Sequence, residues 1–466
     1  MGRRVVLSAA LLSIAAAVGA LAAGCSLWSS QAAERLHAAG APRSNAVRLG
    51  VVDGDLRTRV RGAVVQIGHL RARTNRKGWA SIPLPHRGKL WVTVKKRGYD
   101  PLSTRIEFRN HPRMGVEIFQ TKLQWRLYGA NPARTQAQTS IRVRPPFKVV
   151  WAKPAGGLIE FPAVVDHGVA FIGNQVGTIR AFSMKNGKLL WRRPTPRVEL
   201  ASSPALHGQT VVIHGMDGHV YVRSRWNGRL LWRFDAGSAI ESSPVVRNGV
   251  DYFGTWSGDV YALDLRTHKV RWVYRDGSKI TSSASFGRGT MYIGDYGGRL
   301  LALSPATGRL RWTGGVNGRI YGTPAYANGR IFVPSSDGAS LTAFSATGAR
   351  LWSVHTGAYV YSSPAVWGGR VFFGSYNGVL YGVSARTGAV LWRFGTGGAI
   401  SGAVVVVAGV VYAGNLSHRI YGVSARSGRQ LLAFPHGDYV PVSGNGGRLL
   451  LHGFSRLFAV EPKRRR

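Results

Sequence analysis

The sequence predicts an all-β protein, an eight-bladed β-propeller of four-stranded blades preceded by a small β-sandwich, and three features carry that reading. A phrase ending on tryptophan recurs at a fixed spacing. The residues between recurrences divide into four short strands. A lone tryptophan strand stands ahead of the series, and the last unit lacks one of its own.

The phrase is clearest in GVLYGVSARTGAVLW, Gly378 to Trp392. It recurs as GTIRAFSMKNGKLLW (Gly177 to Trp191), GHVYVRSRWNGRLLW (Gly218 to Trp232), GDVYALDLRTHKVRW (Gly258 to Trp272), GRLLALSPATGRLRW (Gly298 to Trp312) and GASLTAFSATGARLW (Gly338 to Trp352). With Trp151 the anchors are Trp151, Trp191, Trp232, Trp272, Trp312, Trp352 and Trp392, and Leu432 holds the position in a decayed eighth phrase. The period is 40 or 41 residues, which marks stacked supersecondary units. Within a unit, alternation in RVFFGS and VLYGVS gives each sheet two faces to pack, and the TG of ARTG tolerates the positive φ of a strand reversal. Four-stranded units repeated radially make propeller blades. A large indole at one recurrent position fills the gap between twisted sheets, so the seven tryptophans are expected to dock blade on blade.

Blades are counted by their inner-strand phrases, at Glu160 (EFPAV), Ser202, Ser242, Ser282, Gly322, Ser362, Ser401 and Val440. The eighth unit ends with LFAVEP, Leu457 to Pro462, without a tryptophan strand, whereas FKVVWAKPA, Phe147 to Ala155, has no blade before it. The early strand is therefore expected to complete the last blade and close the ring, leaving no unpaired terminal sheet.

These phrases resemble the pyrroloquinoline-quinone (PQQ)-type propeller repeat, DGxxYALDxxTGxxxW followed by SSPAV, over roughly residues 147 to 461. That superfamily holds quinoprotein alcohol dehydrogenases and many non-enzymatic propellers, among them an outer-membrane assembly lipoprotein, so the resemblance implies architecture before activity. Residues 45–125 form a different unit. The order GAVV (Gly62 to Val65), TNRKGWA (Thr74 to Ala80), WVTV (Trp91 to Val94) and Gly98-Tyr99 resembles carboxypeptidase regulatory-like domains, which are transthyretin-like β-sandwiches. Residues 126–146 are polar, carry Pro132, Pro145 and Pro146, and read as a linker laid along the propeller.

The N-terminus reads as an export signal, residues 1–24, with Arg3 and Arg4 ahead of an apolar run that ends LAAGC. Cys25 is the only cysteine. LAAGC resembles the lipobox of bacterial lipoproteins, with Ala22 where leucine is usual, and implies lipidation at Cys25 followed by a tether over 25–44; an uncleaved signal anchor is the alternative. Either way the protein faces outward without a disulfide.

The chain carries 62 Lys plus Arg against 20 Asp plus Glu, a net charge of +42. Such a field attracts anionic surfaces, although scattered arginines also describe an ordinary solvated face; only Lys463 to Arg466 form a tight basic cluster, a tail. An exported chain gives no ground for specific nucleic-acid binding.

Catalytic constellations are scarce. No CxxCH, HExxH or P-loop occurs. Glu160, Glu241, Thr281, Tyr321 and Tyr361 hold equivalent positions at the channel mouth, where the other blades carry Ala201, Ser401 and Pro441. Two carboxylates there could hold a cation, though pairing with nearby arginines is the first expectation. PQQ dehydrogenases need calcium ligands, an aspartate base and, in several families, vicinal cysteines; one cysteine cannot supply a pair, and Asp264 and Asp276 lie at strand ends away from the mouth. The expected protein is a monomeric, non-catalytic scaffold without cofactor or metal that binds an envelope protein. A PQQ/calcium-dependent dehydrogenase and a protein binding anionic wall polymer are the alternatives.

Overall fold

The computed structural model describes residues 46–84, 88–108, 113–195 and 198–463, which form two compact units divided between Lys122 and Leu123. The signal, the tether and Cys25 lie outside the described residues, as do the last three residues of the basic tail.

In the first unit, one sheet sets Trp79–Pro83, Ala46–Asp53 and Arg113–Ile118 side by side, and a second orders Leu70–Arg73, Val64–Ile67, Lys89–Lys95 and Leu102–Glu107. Alternation fixes the buried face: Val47, Leu49 and Val51 from one sheet meet Val65, Val92 and Val94 from the other in a single core. The TNRKGW turn is built by its side chains. Asn75 Oδ1 accepts from the amides of Lys77 and Trp79 at 2.9 and 3.1 Å, while buried Thr74 accepts from the Ala63 amide at 2.8 Å and donates to the Val60 carbonyl at 2.6 Å.

The second unit is the ring. Seven consecutive blades, from Val164–Asp166 through Gln430–Phe434, each pair four strands in sequence order, and the eighth orders Val442–Gly444, Leu449–His452, Arg456–Pro462 and then Phe147–Pro154. The early strand runs antiparallel to the chain's last one, with Trp151 opposite Ala459, so the ring is closed as the lone tryptophan strand implied.

One detail repeats in every blade. The pairing of the third and fourth strands shifts register once, after Ala181, Val222, Ala262, Ala302, Ala343, Gly382, Gly422 and Ala459. The residue just before each shift faces the anchor position, and it is alanine or glycine in all but Val222. A bulge re-aims a side chain, here toward the next blade. The indole N–H groups of Trp151, Trp191, Trp272, Trp312, Trp352 and Trp392 donate to backbone carbonyls of the following blade at 3.0–3.3 Å. The rings sit over the following blade's turn glycine, where a Cβ on Gly308 would lie 2.6 Å from Trp272 and one on Gly388 2.8 Å from Trp352. Blade 3 puts His268 in that place, at φ 62°, and its imidazole stacks on Trp232 with centroids 4.2 Å apart.

Trp312→Ala is expected to cost about 2–3 kcal/mol, less than the roughly 3–5 kcal/mol of a fully buried aromatic truncation because the ring is only part-buried. It loses the bond to Ala346 and the contact with Tyr292. Urea unfolding checks this, and an unchanged midpoint would show that the indole is not what joins blades 4 and 5.

Candidate functional site

The segment expected to be a linker is part of the ring's interior. Trp125 bridges to Val165 in blade 1, and the carbonyls of Arg126, Pro132, Ala133, Thr135 and Gln136 accept from the amides of Leu206, Phe286, Tyr326, Val366 and Val406 at 2.8–2.9 Å. Each of those amides belongs to the middle residue of an inner strand. Ala137–Gln138 then adds a parallel strand to blade 7. Residues 125–138 thus form a strap that satisfies the inner edges of six blades, edges that would otherwise be open. Composition hid this, because the strap acts through its backbone.

Arg134 pins the strap. It is fully buried, and its guanidinium donates to the carbonyls of Ala284, Ser243 and Pro244, each at 3.0 Å, and to that of Tyr128. Burial draws its pKa down to about 9, with Tyr128 and Asp251 acting against that.

Toward the other end of the inner strands, the SSP phrases form a hydroxyl ring. The amides of Ser203, Ser243, Ser283 and Thr323 each donate to the side-chain hydroxyl 40 residues on, at 2.8–3.1 Å. The second residue of the phrase is therefore an interblade stitch, a role that the repeat spacing contained but that local pattern did not reveal.

Above this ring lies the channel mouth, a cavity of about 50 Å³. It brings together Glu160, Glu241, Thr281, Tyr321 and Tyr361, with Ser401 beside them, and leaves Ala201 and Pro441 out. Tyr128 from the strap also lines it and donates to Ser363 Oγ at 3.0 Å. Phe161 and Tyr439 complete the aromatic lining; the first lies within, and the second just before, an inner-strand phrase already recognised, whereas Tyr128 lies outside the repeat and had no such signal.

The carboxylates do not pair with arginines. Glu241 accepts from the Tyr321 hydroxyl at 2.6 Å and the Trp256 indole at 3.1 Å, and Glu160 accepts from Gln175 at 3.0 Å. Arg319, on the neighbouring rim, is held by Asp337 at 3.3 Å. Asp264 and Asp276, away from the mouth, are bound by Arg271 and Arg299 at 2.6 and 2.8 Å. Burial raises both mouth carboxyls above the usual carboxylate range, opposed by these hydrogen bonds and, at Glu241, by the nearby Lys279 ammonium, and Glu241 adds to the rise at Glu160. Tyr321 is pushed strongly upward by burial and by the neighbouring Glu241, which keeps it a donor.

A tricarboxylated quinone does not fit this mouth. Small-molecule pockets run to roughly 300–1,000 Å³, the cavity here is far smaller, and among the described residues no lysine or arginine lines it.

Comparison with known proteins agrees with the ring. The family described as "Outer membrane protein assembly factor BamB" matches residues 122–283 and 274–463. Two curated relatives carry that name: one from Bordetella pertussis is 32% identical over 98 residues, 20% of this chain and 24% of its own, and one from Xanthomonas campestris pv. campestris is 33% identical over 99 residues, 18% and 24%. The chain spans about a quarter of the length of the curated relatives it matches. Among solved structures, BamB from Moraxella catarrhalis superposes with a TM-score of 0.57 at 15% identity over 69% of this chain and 99% of its own. The quinohemoprotein alcohol dehydrogenase from Comamonas testosteroni reaches 0.63 at 13% identity over 73% and 81%, likenesses that establish the fold alone. The family match over both halves of the ring, joined to eight blades closed by the early strand, places the chain in the BamB family of PQQ-like propellers.

Proposed function

We propose that the propeller is a non-catalytic, extracytoplasmic scaffold that binds a cell-envelope protein, tethered to the membrane through Cys25. The observation that carries this reading is the mouth itself: a small, acid- and aromatic-lined recess floored by Tyr128, where a dehydrogenase would need a basic cofactor slot. Relatives named as outer membrane assembly factors support it, and the carboxypeptidase regulatory-like unit then acts as a spacer. The rim beside the recess offers docking area, since Tyr359 is 48% exposed and packs edge-on against Tyr361 and Tyr376.

Two measurements test this. With PQQ and calcium, the purified protein is expected to show neither a binding heat nor alcohol-dependent dye reduction; turnover abolished by Glu241→Gln would overturn the scaffold reading. A photo-crosslinking residue at Tyr359 in intact cells is expected to trap one discrete envelope protein, and the same residue at Leu231, exposed on the outer strand of blade 2, to trap none.

A further inference from the structure

In a chain of net charge +42, the channel mouth gathers two glutamates and, among the described residues, no cationic lining residue, Lys279 acting on Glu241 from the rim. Its walls are aromatic and they meet at steep angles. Tyr321 and Tyr361 lie 5.1 Å apart at 82°, and Tyr128 and Phe161 5.9 Å apart at 75°. Rings so arranged make corners rather than flat stacks, as boxes for cations do. We infer that the mouth is a cage for an alkylammonium group, the side chain of a lysine on the partner protein.

Three observations carry this. The first is unused acceptor capacity. An ionised carboxylate offers about four acceptor sites; each Glu241 oxygen takes one hydrogen bond, and Glu160 takes one on Oε2 alone. An ammonium has three donors and no acceptor, which matches this surplus.

The second is size. A water needs only about 10–15 Å³ of accessible space, so a cavity of about 50 Å³ has room for an ammonium with the methylenes that carry it. A calcium ion wants six to eight oxygen ligands, carboxylates foremost, and among the described residues only two carboxylates line this recess. The third is a precedent on the rim: the Lys279 ammonium lies 3.3 Å from the centroid of the Trp256 ring, whose indole is bonded to Glu241. The chemistry assigned to the recess is thus already used beside it by the protein's own lysine.

The cage deepens the scaffold reading by naming the group that a partner inserts, and small-molecule titration tests it apart from crosslinking in cells. The probes are N-acetyl-lysine methylamide, methylammonium, N-acetyl-norleucine methylamide and calcium, followed by calorimetry and by chemical shifts of the mouth tyrosines. Expected are saturable binding of both amines, none of the uncharged norleucine analogue, and a loss of about tenfold in affinity, near 1.4 kcal/mol, in Glu160→Gln. Glu160 is only half-buried, so that variant keeps the fold; Tyr361→Leu is the second, with a similar loss expected. Absence of saturable binding, binding unaltered by both variants, or calcium binding in preference to the amines would each overturn the cage while leaving the scaffold reading to its own test.

Discussion

Removal of Phe147–Pro154 is expected to unfold the ring at ordinary temperature or to leave it with an unfolding midpoint more than about 10 °C lower. The strand supplies the fourth member of blade 8, with seven registered pairs running from Pro154 opposite Arg456 to Phe147 opposite Pro462. It also supplies Trp151, buried in the core that blades 7, 8 and 1 share with the strap, whose indole donates to Met184 in blade 1 at 3.0 Å. Losing a buried tryptophan costs about 3–5 kcal/mol. The lost ladder adds about 1 kcal/mol per hydrogen bond, so the total is on the order of the whole stability of a domain. The deletion also bares Arg456–Pro462 as an edge, which favours self-association. Calorimetry with sedimentation checks both effects, and a peptide of residues 147–155 added in trans is expected to restore part of the midpoint. A deletion variant that melts like the intact protein would show that the ring is held by its other seven interfaces alone.

That closure was legible in the sequence because the closing device is itself a repeat element. Trp151 keeps the spacing of the other anchors, so an orphan at the start and a gap at the end identify one another. The same holds for the indoles: their period is visible, and the alanine or glycine opposite all of them but Trp232 is visible once the bulge is known. At the mouth, equivalence of position brought Glu160, Glu241, Thr281, Tyr321 and Tyr361 together. The partners were a different matter. Tyr321 meets Glu241 across 80 residues, two blades away around the channel, and no local pattern encodes which side chain faces which across a ring axis. Arginine seemed the natural partner on number alone. Depth decided otherwise, since a carboxylate sunk among inner strands meets neutral donors while the arginines of the rim keep to acids nearer the surface.

The strap was hidden for a different reason. Its contacts are made by carbonyl groups that every residue carries, so Pro132 and Ala133 look like a turn while their carbonyls pair with the inner strands of blades 4 and 5. Ala130, Arg134 and Gln136 take positive φ without being glycine. Such residues are uncommon, and sequence offers no warning of them.

Arg134→Met is expected to destabilise the propeller by about 3–5 kcal/mol, the range for removing one partner of a buried charged arrangement. Methionine fills much of the volume but leaves the carbonyls of Ala284, Ser243, Pro244 and Tyr128 without their donor, and each unsatisfied buried acceptor costs about 1–3 kcal/mol. An apolar replacement is harmless only when both sides of a polar contact go together, and here one side is main chain and stays. Arg134→Lys keeps the charge but not the planar fork. It can reach only some of those carbonyls, so an intermediate loss is expected. The two variants also bear on the site, because the guanidinium lies 5.2 Å from the Tyr128 ring and bonds to that residue's carbonyl. Tyr128 floors the mouth. Urea unfolding should therefore order the wild type above Arg134→Lys above Arg134→Met, and limited proteolysis should cut residues 125–138 in the methionine variant first. Equal midpoints for all three would mean that the strap is held by its backbone ladder alone, and that a fully buried charge does nothing to hold it.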